Sequence, residues 1–158
     1  MGSTILYNKN TLEILKCQRK PYGSSGMPSF KAICMSARIP EDMISELDIC
    51  TINESLSTKD AKEKLRLING EPLPKPFLQI KSNKVDVLKF KIIVEVKNKL
   101  ESDLFDFVKM SINGVEFSID LNNGIGNKII EAEEPDKYII KCRDDRFFSY
   151  PLEVVVVG

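Results

Sequence analysis

Hydrophobic and polar residues alternate through most of the segment from residue 77 to residue 158. The longest alternating run lies between Asp86 and Lys97, and its apolar side consists of Leu88, Phe90, Ile92, Val94 and Val96. A period of two is typical of a β-strand with one face in the core. The same pattern predicts further strands over residues 77–80, 105–112, 115–121, 128–132, 138–142 and 152–157. Seven short strands with no helix among them predict an antiparallel β-sandwich.

Two turns rich in Asn and Gly separate strands of this segment. Asn113-Gly114 is the strongest hairpin signal in the chain. Residues 122–126 predict a second turn, which contains Gly124-Ile125-Gly126. A phosphate-binding loop needs such glycines between a strand and a helix, but the residues from Lys128 onward have the pattern of a strand. A hairpin turn is therefore the favoured interpretation of this Gly-x-Gly sequence.

The last predicted strand contains four consecutive valines, residues 154–157. Both of its faces are therefore apolar, whereas the other strands of the segment have a wetter face. Such a strand is either buried between neighbours or paired with another chain.

The first 70 residues predict a small α+β unit. Residues 5–7 and 13–18 predict a β-hairpin, and residues 30–35 predict a third strand. Residues 39–47 predict a short helix with Pro40 at an early position, followed by an extended segment over 48–52. Ser57 and Asp60 are spaced as in an N-terminal cap and predict a helix to Leu65, although a mobile loop is the alternative because apolar residues are few.

Residues 71–76 contain three prolines in five positions, at 72, 74 and 76. Proline forbids a regular helix and disfavours a central strand, so this stretch predicts a semi-rigid spacer and a domain boundary. The predicted organisation is an α+β unit over residues 1–70, a linker over 71–76, and a β-sandwich over 77–158.

The composition narrows the classes of function. Basic and acidic residues both number 23, and a net charge of zero argues against a dedicated nucleic-acid-binding protein. No apolar run is long enough to span a bilayer and the first residues lack a signal peptide, so we predict cytoplasmic synthesis and no membrane insertion. The chain has no His, the usual general base, and we predict neither an enzyme nor a cofactor.

The cysteines do not form a metal or disulfide pattern. The four are widely spaced and include no Cys-x-x-Cys pair, which predicts reduced thiols. Without a His, Cys142 as a nucleophile would need activation by Lys141 or Arg143, so a small core residue is the simpler interpretation.

Aspartates in the predicted loops are candidate calcium ligands, since Ca²⁺ requires six to eight oxygen ligands. No acidic calcium-binding loop motif is present, and solvated side chains in turns are the favoured interpretation. The candidates are Asp103 with Asp106, and Asp136 with Asp144 and Asp145.

The loop from Arg143 to Tyr150 has the composition of a protein-binding hot spot, in which Arg and Tyr are enriched. The predicted partner-binding residues are Arg143, Arg146, Phe147, Phe148, Tyr150 and, from the earlier Arg-Lys-Pro-Tyr stretch, Tyr22. The alternative is that Phe147 and Phe148 pack beneath the loop while the charged residues are merely exposed.

The segment Asp136-Lys137-Tyr138-Ile139-Ile140 resembles the Asp-x-Tyr signature of immunoglobulin-like sandwiches. The resemblance implies that the hydroxyl of Tyr138 binds backbone at a corner before the penultimate strand. Ile140 occupies the position of the antibody-domain Cys, and the buried Trp is missing. We therefore predict a mainly β protein, with a C-terminal immunoglobulin-like antiparallel β-sandwich that lacks the disulfide, preceded by the small α+β unit.

The whole arrangement also resembles small structural proteins of bacteriophage tails and fibres. The resemblance rests on the hairpin over residues 5–14, the turn over 67–71, the proline spacer and the sandwich that ends in residues 152–157. It implies a non-catalytic structural or adhesion module of a virion, which binds proteins and forms a homo-oligomer. The alternative is a carbohydrate-binding module with Tyr22, Phe147, Phe148 and Tyr150 as its aromatic set, although Trp, the best stacking platform for sugars, is absent.

Overall fold

The computed structural model describes residues 2–20 and 26–158. The chain is mainly β and divides into two compact units, Met1–Pro74 and Lys75–Gly158. Tyr22, one of the predicted partner-binding residues, lies outside the described residues.

The first unit is built on an antiparallel sheet of three strands in the order β2-β1-β3. The strands are β1 (Ser3–Asn8), β2 (Ile14–Arg19) and β3 (Leu47–Ile52). The predicted hairpin and the extended segment over 48–52 are thus confirmed. The central strand is buried on both faces, as its uninterrupted Ile5-Leu6-Tyr7 sequence requires: Ile5 packs with Cys17 and Leu65, while Leu6 packs in a separate cluster.

The prediction of a strand over residues 30–35 is wrong, because this segment is the helix α1 (Phe30–Ser36). Ser29 caps it, and its hydroxyl accepts a hydrogen bond from the backbone N–H of Ala32 at 3.2 Å. Phe30, Ile33, Cys34 and Ala37 all belong to the cluster around Leu6. Their spacing of three and four residues is a helical period, which the choice of a two-residue period overlooked.

The two other helical segments follow the predicted positions. Residues Glu41–Glu46 form a 3-10 helix after Pro40. Ser57 caps the helix α2 (Thr58–Lys64), and its side chain accepts from the N–H of Asp60 at 3.1 Å. Thr58 fixes this helix to β2, because its hydroxyl accepts from the N–H of Cys17 at 3.0 Å and donates to the carbonyl of the same residue at 3.2 Å.

The predicted linker is in part a strand. The strands β4 (Leu65–Ile68) and β5 (Glu71–Pro74) form an antiparallel hairpin around Asn69-Gly70, so residues 71–74 belong to the first unit. Among the described strands, β5 pairs with β4 alone, and its prolines fit because an unpaired strand edge needs no N–H donors.

The second unit is a sandwich of two antiparallel sheets. The first sheet has the order β10-β7-β6, with β6 (Phe77–Asp86), β7 (Lys89–Lys97) and β10 (Ile125–Glu131). The second has the order β12-β11-β8-β9, with β8 (Phe107–Ile112), β9 (Val115–Asp120), β11 (Asp136–Cys142) and β12 (Leu152–Val156). One apolar cluster lies between them and includes Ile92 and Val94 of the first sheet and Met110 and Ile140 of the second.

The fourth strand of the sandwich distinguishes it from a constant-type immunoglobulin domain, where that strand pairs with the sheet of the first two strands. Here β9 pairs with β8. The sheet of the first two strands therefore has three strands and the other sheet has four, the reverse of the constant-type arrangement. The reason is local: Asn113-Gly114 adopts positive φ at both positions, 45° and 84°, and such a two-residue turn forces its flanking strands to pair.

The corner implied by the immunoglobulin-like resemblance is present. The hydroxyl of Tyr138 donates a hydrogen bond to the backbone carbonyl of Glu134 at 2.8 Å. Its ring lies 6.0 Å from that of Phe90 on the opposite sheet, and Ile140 is fully buried. Ile140 therefore occupies the core position of the antibody Cys as an aliphatic residue.

Two turns of the second unit lie where the sequence predicted strand or turn residues. Leu88, expected within a strand, has a positive φ of 57° and lies in the turn between β6 and β7. Asn123-Gly124 forms the predicted tight turn, closed between Asn122 and Ile125, but the strands on either side, β9 and β10, pair in different sheets, and Gly126 lies in β10. Gly126 is needed there because a Cβ atom would collide with the backbone carbonyl of Asp120 and lie 2.8 Å from a methyl group of Ile119.

Candidate protein-binding surfaces

The side chain of Arg146 holds the predicted binding loop in place. Its Nε and Nη2 donate to the two carboxylate oxygens of Asp144 at 2.9 and 2.8 Å, and Nη2 also donates to the carbonyl of Phe107 at 2.8 Å. The guanidinium lies 5.1–5.4 Å from the ring centroids of Phe105, Phe107 and Phe147. This residue thus joins the loop after β11 to the start of β8.

Arg146 and Asp144 together form a clamp, in which the Asp144 carboxylate is the acceptor. The side chain of Asp144 is only 6% exposed. The backbone N–H groups of Lys109 and Arg146 donate to it, each at 3.2 Å, in addition to the guanidinium. Burial alone would raise the pKa of Asp144, but these hydrogen bonds outweigh it and lower the pKa below its ordinary value. The same carboxylate raises the pKa of the Arg146 guanidinium.

Phe147 is a core residue. It is 5% exposed, belongs to the cluster between the sheets, and has its ring 4.7 Å from that of Phe105. Its ring is therefore unavailable for stacking on a partner, in agreement with the alternative that this residue packs beneath the loop.

Phe148 and Tyr150 lie in a second aromatic group with Phe77. The ring centroids of the three residues are 5.1–6.1 Å apart, and Tyr150 is 66% exposed. The backbone of Phe148 bridges to the start of β6: its N–H donates to the carbonyl of Pro76 at 3.0 Å, and its carbonyl accepts from Leu78 at 2.9 Å. These bonds join the loop before β12 to the other sheet.

The predicted residues therefore do not form one surface. Arg146 binds Asp144 and Phe147 lies in the core, whereas Phe148 and Tyr150 belong to the second aromatic group. Arg143 is exposed, and its backbone N–H donates to the carbonyl of Lys109. The sequence reasoning missed Phe77, Phe105 and Phe107. The available signal was the position of Phe77 and Phe105 at the starts of predicted strands, with Phe107 two residues farther along.

The strand β12 is an edge strand of the sandwich, and its outer side is a candidate pairing surface. Within the described residues, β12 pairs only with β11, through Val154 opposite Tyr138. The carbonyl of Ile139 in β11 accepts from the N–H of Asn113, directly after β8, and the N–H of Arg143, directly after β11, donates to Lys109 of β8. The alternate residue Tyr138 therefore directs its backbone toward β12. Val154 therefore bonds inward, and the N–H and C=O groups of Glu153, Val155 and Val157 point outward.

The side chains of β12 follow the same alternation. Val154 and Val156 pack against the core, whereas Val155 and Val157 are 59% and 63% exposed. The cross-strand neighbour of Val155 is Lys137, which forms an ion pair with Glu153 at 3.7 Å. The two apolar faces predicted from the sequence are thus one core face and one exposed face next to an open edge.

Charge distinguishes β12 from the other edge strands of the sandwich. Natural edge strands are commonly protected from pairing by charged side chains, bulges or proline. Charges are spread along β6, β9 and β10, and β6 also has a bulge near its end. By contrast, β12 has Glu153 as its only charged residue, and four valines follow it.

A cavity of about 240 Å³ opens beside this edge, between β12 and the hairpin of β6 and β7. Val154, Val156 and Phe90 supply apolar surface, and Ser82 and Lys84 of β6 lie on the opposite side. A strand added to β12 would direct alternate side chains toward this cavity.

The Cys142 thiol and the candidate calcium ligands have identifiable surroundings in the structure. Burial raises the pKa of the Cys142 thiol, whose sulfur donates to the carbonyl of Asp144 at 3.6 Å. No group of three or more Asp, Glu or Cys residues in residues 2–20 and 26–158 is arranged to hold a metal ion. Asp103 and Asp144, two of the candidate calcium ligands, instead accept hydrogen bonds from nearby backbone.

Helices in the described part of the chain are all too short or too polar to cross a membrane. No protein-family model, curated protein sequence or solved structure matches this chain.

Proposed function

We propose that this chain is a non-catalytic structural or adhesion module that binds proteins by accepting a strand at the outer edge of β12. The observation that carries the proposal is the open edge itself, where the outward backbone groups of Glu153 and Val155 lie next to the exposed side chains of Val155 and Val157. Strand addition is a common mode of protein recognition, in which main-chain hydrogen bonds provide affinity and pockets for alternate side chains provide specificity.

Both parts of that mode are available at β12. The outward N–H and C=O groups provide the ladder, and the cavity beside Val154 and Val156 accepts an apolar side chain from the added strand. A mixed rim with Lys84 and Asp86 adds polar contacts for residues at the ends of that strand.

The carbohydrate-binding alternative has less support. Of its four aromatic residues, Phe147 is buried and Tyr22 is outside the described residues, which leaves Phe148 and Tyr150. Those two rings pack edge to face at 5.1 Å and do not form a flat platform. We therefore retain protein binding as the proposed function.

The test uses Val155→Pro. The N–H of Val155 points away from β11, so proline at this position removes an outward donor and leaves the ladder between β11 and β12 intact. A library of random ten-residue peptides is selected on the wild-type chain, and binding of the enriched peptides to both forms is measured. We expect peptides with alternating apolar residues that bind the Pro variant at least about tenfold more weakly.

The matched control is Val154→Pro, which removes an inward donor and a core side chain and should destabilise the unit. Urea unfolding must show that Val155→Pro keeps wild-type stability within about 0.5 kcal/mol. Enriched peptides that bind wild type and the Val155 variant equally well, or a monomeric wild-type chain on which no peptide is enriched, would contradict the proposal.

A further inference from the structure

We infer that the strand accepted by β12 is β12 of a second copy of this chain, in an antiparallel pair centred on Val155. The inference rests on the proposed function and specifies its partner. An antiparallel pair of identical strands has two-fold symmetry, so one surface must complement itself.

The backbone supports a centre at Val155. Glu153, Val155 and Val157 direct their N–H and C=O groups outward, and an antiparallel pair forms its closely spaced hydrogen bonds between residues that both face the partner. A centre at Val155 places Val155 opposite Val155 and Glu153 opposite Val157. Every outward-facing residue then bonds to another.

Charge disfavours the register centred at Val154. A centre at Val154 would place Glu153 opposite Val155 and bring the two Glu153 side chains to diagonal positions, about 7–8 Å apart. The centre at Val155 separates these carboxylates along the strands and leaves each one beside its own Lys137, at 3.7 Å. Because the rest of the edge is uncharged, no like charges face each other.

The core face also complements itself. Val154 and Val156 of the second copy would lie opposite Val156 and Val154 of the first, on the side that lines the cavity. Two valines of each copy thus extend the apolar wall of the other copy's cavity. The exposed pair Val155–Val155 covers the opposite face of the joined sheet.

The test is a pair of charge substitutions at the centre, Val155→Glu and Val155→Lys. In the monomer, Val155→Glu faces Lys137 and should fold normally. In the pair, two like charges lie directly opposite each other, so each variant alone should dimerise about tenfold more weakly than wild type. An equimolar mixture of the two variants places opposite charges at the centre and should recover the dimer.

Sedimentation equilibrium over a concentration series measures the association. The matched control is Val115→Lys, which changes an exposed valine at the other edge of the same sheet and should leave the dimer unchanged. A wild-type chain that stays monomeric to its solubility limit overturns the inference, as does Val155→Glu with an unchanged dimer. A Val155→Lys variant with tighter association overturns the register, because the introduced ammonium group would then face Glu153 of the other copy.

Failure of the inference can be separated from failure of the proposed function. A monomeric wild type that still binds selected peptides, and loses them in Val155→Pro, removes the second copy as partner and retains strand addition. A monomer that enriches no peptide removes both.

Discussion

Replacing Arg146 by Met should destabilise the second unit while leaving most of its packing in place. Met retains an apolar stem of similar length, so the three phenylalanine rings around position 146 remain covered. The substitution removes the guanidinium hydrogen bonds to Asp144 and to the carbonyl of Phe107. It also leaves the Asp144 carboxylate, 6% exposed, without its counter-ion.

The expected loss follows from these contacts. A hydrogen bond to a charged group contributes roughly 1.5–3 kcal/mol, but the Arg146 side chain is 41% exposed and water compensates part of the loss. The two backbone N–H groups that donate to Asp144 remain. We therefore expect a decrease in the free energy of unfolding of about 2 kcal/mol, or roughly 10 °C in melting temperature for a unit of this size.

Amide hydrogen exchange by mass spectrometry measures this change within the second unit. Peptides from β8 and β11 should exchange about thirtyfold faster in Arg146→Met at neutral pH. The matched control is Arg143→Met in the same loop, since Arg143 is exposed and its guanidinium makes no hydrogen bond or ion pair with a described residue. Equal exchange in the two variants would refute the assigned role of Arg146.

The pH dependence provides a second readout with a defined sign. The pKa of Asp144 is lowered on folding, so its ionised form contributes stability above the unfolded pKa. That contribution is lost as the pH falls through the folded pKa. The stability difference between wild type and Arg146→Met should therefore be largest near neutral pH and should shrink in acid, below the ordinary aspartate pKa of 3.8.

Three other predictions concern individual residues. Tyr138→Phe should lower the free energy of unfolding by about 0.5–1.5 kcal/mol in urea titrations, whereas Tyr150→Phe, whose hydroxyl donates to no described residue, should have little effect. Gly126→Ala should abolish the far-ultraviolet circular dichroism signal of the folded sandwich, because of the collision with Asp120, and Gly26→Ala, with open space around it, should retain that signal. Burial raises the pKa of Cys50 to about 11, so its alkylation by iodoacetamide in the folded protein should accelerate roughly tenfold per pH unit up to about that value; a plateau near pH 9 would contradict this.

The sandwich could be predicted from the sequence because its signals are local. Alternation placed the strands, and Asn113-Gly114 indicated the pairing of β8 with β9. The Asp-x-Tyr sequence implied that the hydroxyl of Tyr138 binds backbone, and the structure identifies the carbonyl of Glu134 as the acceptor. The segment over 30–35 was misread because both periods fit its short apolar pattern, and the cap at Ser29 decides between them. The strand β5 was missed because proline excludes a central strand but permits an edge.

The binding surfaces required the fold. The sequence groups Arg146, Phe147 and Phe148 in one loop, but successive residues of an irregular loop point in different directions. Phe147 enters the core and Phe148 pairs with Phe77 at the start of β6, a residue far away in the sequence. In the same way, four valines in sequence indicate an apolar strand, yet only the pairing with β11 identifies Val155 as outward-facing.

The loop between β11 and β12 determines where an added strand can begin to pair with the outer edge of β12. The backbone of Phe148 bonds to the carbonyl of Pro76 and the N–H of Leu78, and the hydroxyl of Ser149 donates to the carbonyl of Leu78 at 2.9 Å. The segment that precedes β12 is therefore already bonded to β6 and cannot pair with an added strand. Pro151 has no N–H to offer a partner. The open edge therefore begins only after Leu152, at Glu153, and the clamp formed by Arg146 and Asp144 fixes the loop that sets this limit. An added strand can therefore pair only from Glu153 onward, and it can bond only to the alternate residues that face outward. These two constraints place Val155 near the centre of the accessible edge.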